Sequence, residues 1–405
     1  MLTGVRVLEC GVYVQGPVTA ALLADLGADV IKIEHPEKGD GQRATINLFG
    51  VPQHLPDRTG RQVSIGFSFS NRNKRGMLLD LKQDEGREVM RRLVESADIF
   101  LHNFRGPIVE RLGIGYGELS RINERLIYLS STGYGTRGPM RNAMALDATG
   151  LAFSGTMYAA AQDNGETPSD IAGGISDVST SLMGAFAITA ALHQRERTGK
   201  GAELEVSQLG TLFFLQGMNV TSALWTGTAF TNFDRTSKSN PLYNYYRCRD
   251  ARWIMLGEYQ PHRHWRDLWE VLGEPAMKDD PRFADFDGII GHCVELTAAL
   301  DAAFLKRRRD EWLPLLLARD IFCSPVNTVL EAACHQQTAE NGYIVDYPDS
   351  ELEGKQTVVT PIRSSVGGPQ IRRRAPEWGE HTAEILLEFG YSWDQISELQ
   401  NKGVI

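Results

Sequence analysis

Cysteine is scarce in this chain. Five residues in 405 (Cys10, Cys248, Cys293, Cys323 and Cys334) are odd in number, scattered, and form no C-x-x-C pair. That excludes a disulfide framework and a cysteine-based structural zinc site. It points to a reducing compartment, so a cytoplasmic location is expected. No run of ~18 apolar residues occurs either, so no membrane span is expected. The N-terminal residues read as a strand and not as a signal peptide. Positive charge is also in deficit: 42 Lys and Arg against 51 Asp and Glu leave a net charge of −9. This excludes a general nucleic-acid binder, though not a local basic pocket for one phosphorylated ligand. His262-Arg-His264 has no third ligand at a matching spacing, so no metal site is expected and both histidines read as surface residues.

What remains is an ordinary globular composition, 42% hydrophobic and 23% charged, in a chain long enough for two or more domains. A βα rhythm runs through its first half. Residues 5–10 read as a strand, 18–26 as a helix stopped by Gly27, and 28–34 as a second strand; such units build a parallel sheet. Residues 36–70 show no period and read as a long functional loop. The rhythm resumes with strands at 76–82, 97–102, 126–130 and 202–207, helices at 84–96, 108–112 and 117–123, and an apolar helix at 209–225. Residues 133–138, Gly-Tyr-Gly-Thr-Arg-Gly, match G-x-G-x-x-G after a strand. Pro139 follows at once and no apolar helix opens on the last glycine, so dinucleotide binding is rejected in favour of a strand-end loop. A Gly/Pro/Asp loop is expected at 162–170. Composition turns polar and linker-like at 226–240. A strand pair (245–249 and 253–256) and several helices then suggest a smaller α+β domain. The last sixty residues return to a strand at 357–360 and a helix at 379–390. Arg307-Arg-Arg309 and Arg372-Arg-Arg374 read as solvated faces.

The chain is organised around Ile171-Ala-Gly-Gly-Ile-Ser-Asp-Val-Ser-Thr-Ser-Leu-Met-Gly184. Gly173 and Gly174 strip side chains from the approach to a long helix that ends at Arg195-Glu-Arg-Thr-Gly199. Asp177 stands in its first turn. Position alone leaves two roles open, an acid that caps the helix or a carboxylate nucleophile kept ionised by the helix dipole.

Leu26-Gly-Ala-Asp-Val-Ile-Lys-Ile-Glu34, Asn73-Lys-Arg75 with Leu79-Asp-Leu-Lys82, Asn103-Phe-Arg105 with Arg111-Leu-Gly113, Gly133-Tyr-Gly135, Ser176-Asp177, Arg197-Thr-Gly-Lys-Gly201 and Gly379-Glu-His-Thr382 occur in this order. Together they resemble the class III coenzyme A transferases, the group of formyl-CoA and carnitine CoA-transferases, whose fold is shared by the 2-methylacyl-CoA racemases. The resemblance implies an α/β fold: a Rossmann-like large domain built from both chain ends plus a smaller α+β domain, in an interlocked dimer. On that pattern residues 1–225 begin the large domain, 226–330 form the small one, and 331–405 return to the large one. The partner would be an identical chain or a related subunit.

The resemblance implies a CoA transferase that moves CoA from an acyl-CoA, with succinyl-CoA as donor, to a free carboxylic acid. CoA is then a substrate, and no metal or permanently bound cofactor is expected. Asp177 is implied as the nucleophile, forming an aspartyl anhydride and then an aspartyl-CoA thioester. An ordinary aspartate pKa of about 4 would leave it ionised at neutral pH without a general base. Asp147 is implied as a supporting acid, with helix capping or a salt bridge as the plain alternative. Gly173, Gly174 or the loop at 11–17 would supply backbone N–H groups to the oxyanion. Leu79, Asp80, Leu81, Lys82, Asn103, Phe104, Arg105 and Arg111 would line the CoA site. Val14 stands where formyl-CoA transferases place a glutamine, with Gln15 one position along, so a formyl substrate is not expected. The racemases carry a histidine at the position of Leu146, which cannot accept a proton, and this favours transfer over racemisation. The glycine-run loop of the formyl-CoA enzymes is missing from 226–260. A larger aromatic or branched acceptor acid is therefore expected, near Tyr243, Tyr245, Tyr246 and Trp253. Two further readings are an acyl-CoA racemase and a non-catalytic CoA-binding subunit.

Overall fold

The computed structural model describes all residues except 49, 162, 164 and 230–233. The parts of the expected loops and linker that fall on those positions lie outside the described residues. The chain divides into two compact units. One comprises Met1–Met157, Asp170–Thr228 and Asn341–Ile405, the other Tyr158–Ser169 and Ala229–Glu340.

The first unit is built on six parallel strands: β1 (Arg6–Cys10), β2 (Asp29–Glu34), β3 (Lys74–Leu78), β4 (Ile99–His102), β5 (Ile127–Thr132) and β6 (Ala202–Ser207), in the order β6-β5-β4-β1-β2-β3. Alternate residues feed opposite faces. Leu8, Ile31, Met77 and Phe100 enter one core with Val89, Leu93 and the C-terminal Ile385 and Leu386. Val7, Val30, Ile99 and Leu101 enter the other with Leu23 and Ile188. A sheet apolar on both faces must be covered on both, which gives the helix–sheet–helix layering.

Helix α1 (Gln15–Asp25) follows β1, α2 (Asp84–Val94) follows β3, α3 (Asp147–Phe153) follows β5, α4 (Ile175–Thr198) precedes β6, and α5 (Gln208–Leu215) leaves it. Helix α4 packs on α1, β5 and β6. Its last turn is tied down by Arg195, whose guanidinium binds the Asp98 carboxylate at 2.8 Å. By length and hydropathy alone α4 would pass for a membrane span, but it contributes Ile188 and Ala191 to the core of this unit. The edge strand β3 is sealed by the C-terminal segment. Thr382 Oγ1 accepts from the Leu78 N–H at 3.1 Å, His381 Nδ1 accepts from the Gly76 N–H at 3.2 Å, and the Asp80 N–H donates to the Val404 carbonyl at 2.7 Å.

Several expectations are corrected. Residues 36–70 are not structureless: they hold a 3₁₀ turn (Gly41–Ala44), two small hairpins and a helix (Ile65–Asn71) capped by Ser64. That helix is seven residues long, too short for a period to show. The apolar helix at 209–225 breaks at Gln216 into α5 and Gly217–Thr226. A final helix, Trp393–Asn401, was not foreseen.

In the second unit Tyr245–Arg247 and Trp253–Leu256 pair antiparallel, and an unforeseen third strand, Cys323–Val326, joins the edge. Pro325 masks it in the sequence, and an edge is where proline is tolerated. Trp269, Trp312, Phe304 and Tyr246 fill the core. Tyr246 is fully buried and stacked on Phe304, so it cannot face an acceptor acid. Arg309 is buried against the Val326 carbonyl and is no solvated cation. His264 is held by the buried Glu258 at 2.8 Å and is not a free surface histidine.

Candidate active site

Strand order reverses at β1, whose neighbours β2 and β4 lead to opposite edges. The chain leaves β1 and β4 in diverging directions, which opens a crevice at their carboxyl ends. Asn103 bridges it, accepting from the Val12 N–H at 2.9 Å and donating to the Val12 carbonyl at 2.8 Å. Gln15, first residue of α1, donates to the Thr132 carbonyl at the end of β5 at 2.9 Å.

Under the β1–α1 loop lies a fully buried charge cluster. Lys32 Nζ contacts Glu9 at 3.2 Å, Asp40 at 2.9 Å and the Gly11 carbonyl at 3.0 Å. Lys74 Nζ contacts Glu9 at 2.7 Å, the Asn71 side chain at 2.8 Å and the Pro17 carbonyl at 2.8 Å. Burial opposes the charge on Lys32, but Glu9, Asp40 and Glu34 outweigh it and raise its pKa. On Lys74 burial wins, and its pKa is lowered. Asp40 also accepts from the Tyr13 N–H at 2.8 Å. Both ends of the loop are therefore fixed by buried ions, and Tyr13 is held at φ 61°.

The crevice continues into a cavity of about 390 Å³ whose wall includes Gln15, Asn103, Phe104, Arg105, Asp177 and Gln208. A larger cavity of about 680 Å³ lies in the same unit, lined by Arg137, Asn142, Glu203 and Glu205. Its wall mixes arginines with glutamates, and no carboxyl on it is shown to be activated. The smaller cavity therefore holds the chemistry.

Asp177 enters it from the first turn of α4. Gly173 (φ +104°) and Gly174 (φ +67°) precede that turn in a conformation side chains resist, and a Cβ at either would meet open space. The approach to the carboxylate is thus bare. Gln208 Nε2 donates to Asp177 Oδ1 at 2.6 Å. Asp147, first residue of α3, accepts from the backbone N–H groups of Ser176 and, at 2.9 Å, of Asp177. It caps α4 from outside the helix, so the capping role belongs to Asp147 and leaves the Asp177 side chain to the cavity.

Burial first, and the Asp147 charge second, push the Asp177 carboxyl up to about 6, against the pull of the Gln208 hydrogen bond. This corrects the ordinary value of about 4 expected from the sequence. Asp147 is itself raised by burial. Two carboxyls of like sign so placed are a reactive arrangement and not a stabilising one.

Of the residues expected at the site, Val14, Gln15, Asn103, Phe104, Arg105 and Leu146 share the cavity with Asp177. Leu79 and Leu81 do not: both side chains are buried in the core, so only their backbone could meet a ligand. Asp80 faces His35 at 3.5 Å, while Lys82 and Arg111 are exposed and outside the cavity wall. Leu146 is 66% exposed on that wall, and among the described residues no histidine lines it. Among the described residues no group of three metal-ligating side chains occurs.

The family model for CoA-transferase family III matches residues 2–382. The chain belongs to CoA-transferase family III. Within the family it is 29% identical over 405 residues to the (R)-2-hydroxy-4-methylpentanoate CoA-transferase of Clostridioides difficile, covering 100% of this chain and 99% of that one. It is 32% identical over 389 residues to the acetyl-CoA:oxalate CoA-transferase of Acetobacter aceti, covering 95% of each. The solved CaiB/BaiF family protein from Brucella suis superposes with a TM-score of 0.85 at 29% identity, over 96% of this chain and 99% of that one.

Sequence reading of this family III chain missed Gln208 and Met144, both on the cavity wall. Gln208 carried one signal, an amide placed where strand β6 turns into α5. Met144 carried none, since its loop has no period; Tyr134, also on the wall, was named only inside the Gly133-Tyr-Gly135 motif.

Proposed function

We propose that this chain is an acyl-CoA:carboxylate CoA transferase with Asp177 as its nucleophile. The observation that carries the reading is the Asp177 carboxylate, raised to about 6 and mostly ionised at neutral pH, on the wall of a cavity at the sheet's switch point. Asp177 Oδ2, which makes no hydrogen bond to the described residues, attacks the thioester carbonyl. The C–S bond breaks and the CoA thiolate leaves, giving a mixed anhydride. The thiolate then attacks Asp177 Cγ and expels the donor acid as carboxylate, leaving an aspartyl-CoA thioester. The acceptor carboxylate attacks Cγ in turn and releases the thiolate, which takes the new acyl group from the second anhydride. A carboxylate is required because only an acyl group on the enzyme can hold CoA as a thioester between two acids. No proton needs to move at the donor's α-carbon, and Leu146 offers no base for one.

Arg105, Lys82 and Arg111 are proposed to meet the phosphates of CoA, and Leu79 to Leu81 to contribute backbone groups. Succinyl-CoA is the first donor to test. A bulky acceptor acid fits the mainly apolar wall of Phe104, Ile108, Met144 and Leu146. A second copy of the chain, interlocked with the first, suits the apolar side chains left bare on one unit: Phe186 at 69%, Met218 at 88% and Trp225 at 86% exposure. A cytoplasmic setting suits the free cysteines.

The test is incubation with a panel of acyl-CoAs, trapping with hydroxylamine or borohydride, and location of the adduct by mass spectrometry. Labelling at Asp177 is expected. An adduct found only at other residues would overturn the assignment. Deuterium exchange at the acyl α-carbon without an acceptor acid would favour racemisation instead.

A further inference from the structure

In the proposed cycle two additions occur at Asp177 Cγ, one by the thiolate on the anhydride and one by the acceptor carboxylate on the thioester. In both, the electron pair of the Cγ=Oδ1 bond moves onto Oδ1. It returns when the donor acid or the thiolate departs. Something must hold that negative charge, and four backbone N–H groups near the site are already committed. Those of Ser176 and Asp177 donate to Asp147, that of Val12 to Asn103, and that of Tyr13 to Asp40.

Gln208 is the one side-chain donor, among the described residues, already placed on the Asp177 carboxylate. Its side chain is 2% exposed, and Nε2 reaches Asp177 Oδ1 at 2.6 Å. Its Oε1 has no hydrogen-bond partner, so among the described residues the amide has one polar contact, the Asp177 carboxylate. Asn103, by contrast, is used on both sides by Val12. Gly150 leaves the space the amide occupies: a Cβ there would stand 3.0 Å from Gln208 Oε1 and 2.8 Å from Ser176 Oγ. A buried amide that leaves its carbonyl unbonded to keep one N–H on a reactive carboxylate costs stability for no structural return.

We propose that Gln208 is the oxyanion donor of this enzyme: its Nε2–H orients the Asp177 carboxylate in the resting state and stabilises the charge on Oδ1 in each tetrahedral adduct at Asp177 Cγ. The inference rests on the proposed role of Asp177. Resting and adduct states use the same contact, so no rearrangement is needed as charge develops, which is the condition for electrostatic catalysis.

The experiment compares Gln208→Leu and Gln208→Ala with the unaltered chain, after thermal melts confirm that each variant folds. Losing one such donor is expected to lower kcat by about 10²-fold, with KM for the acyl-CoA changed by less than about threefold. The acidic limb of the kcat/KM profile should also move upward from about 6, because the one contact that favours ionised Asp177 is gone. A merely structural glutamine would not move that limb. Turnover within about threefold of the unaltered chain in the folded leucine variant, or an unmoved limb, overturns the inference. Trapping separates the two claims. If Asp177 is labelled in the unaltered chain and Gln208→Leu turns over normally, the role of Gln208 falls alone. If Asp177 is never labelled, the functional reading falls with it.

Discussion

Two groups of charge in the first unit are built on opposite principles. Beneath the β1–α1 loop, Glu9 and Asp40 face Lys32 and Lys74, every member fully buried, each charge meeting the opposite sign, with backbone carbonyls and the Asn71 amide oxygen completing the ammonium groups. At the cavity, Asp147 and Asp177 carry the same sign, and only amide and N–H donors answer them. The first group is a fixture. The second stores unfavourable energy where a substrate can use it. Burial alone does not mark a functional charge; a buried carboxyl beside a like charge, with no cation to answer it, does.

The largest test removes the nucleophile. Asp177→Asn should lower CoA transfer by about 10⁴-fold or more, read by release of free thiol and formation of the new thioester. Next comes the fixture. Glu9→Gln leaves two buried ammonium groups short of a partner and should cost about 3–5 kcal/mol in denaturant unfolding. An undiminished midpoint would erase the distinction between the groups.

The opposite sign is expected at the cavity. The Asp177 carboxyl titrates near 6 when folded against an ordinary 3.8, so the folded state binds the extra proton between those values. That costs stability at high pH, and the cost fades as pH falls through about 6 towards 4. Asp177→Asn should therefore be more stable than the unaltered chain at pH 7.5, by about 1–3 kcal/mol, and gain nothing at pH 4. The smallest effect is on Asp147. Asparagine there keeps an acceptor for the α4 N–H groups but removes the charge. The acidic limb of the activity profile should then move below 6 by less than about one unit.

The parallel sheet was legible because each strand is a short apolar run followed by a helical period, and Gly27 and Gly199 punctuate them. The position of Asp177 was legible because two glycines and a long apolar period frame it. What the sequence could not yield depends on contacts across long separations. Gln208 meets Asp177 only because α5 and α4 pack together on the same side of the sheet. Asn73-Lys-Arg75, one piece of the family resemblance, serves the fold: Lys74 joins the buried ions, and Arg75 binds Asp29 at 2.7 Å and Glu388 at 2.8 Å. Gly379-Glu-His-Thr382 likewise closes the edge of β3. Order along the chain identified these pieces, but only tertiary contacts separate scaffold from chemistry.

The seal on β3 has a consequence for biogenesis. Its donors are met by His381, Thr382 and Val404, more than three hundred residues downstream, and buried Asp25 is likewise held to Thr360 at 2.7 Å. A ribosome-bound chain must therefore expose one raw sheet edge until translation has finished. The second unit, encoded in between, can condense first. This architecture should mature late, by a high-contact-order step, and nascent chains arrested before residue 380 should be captured by chaperones.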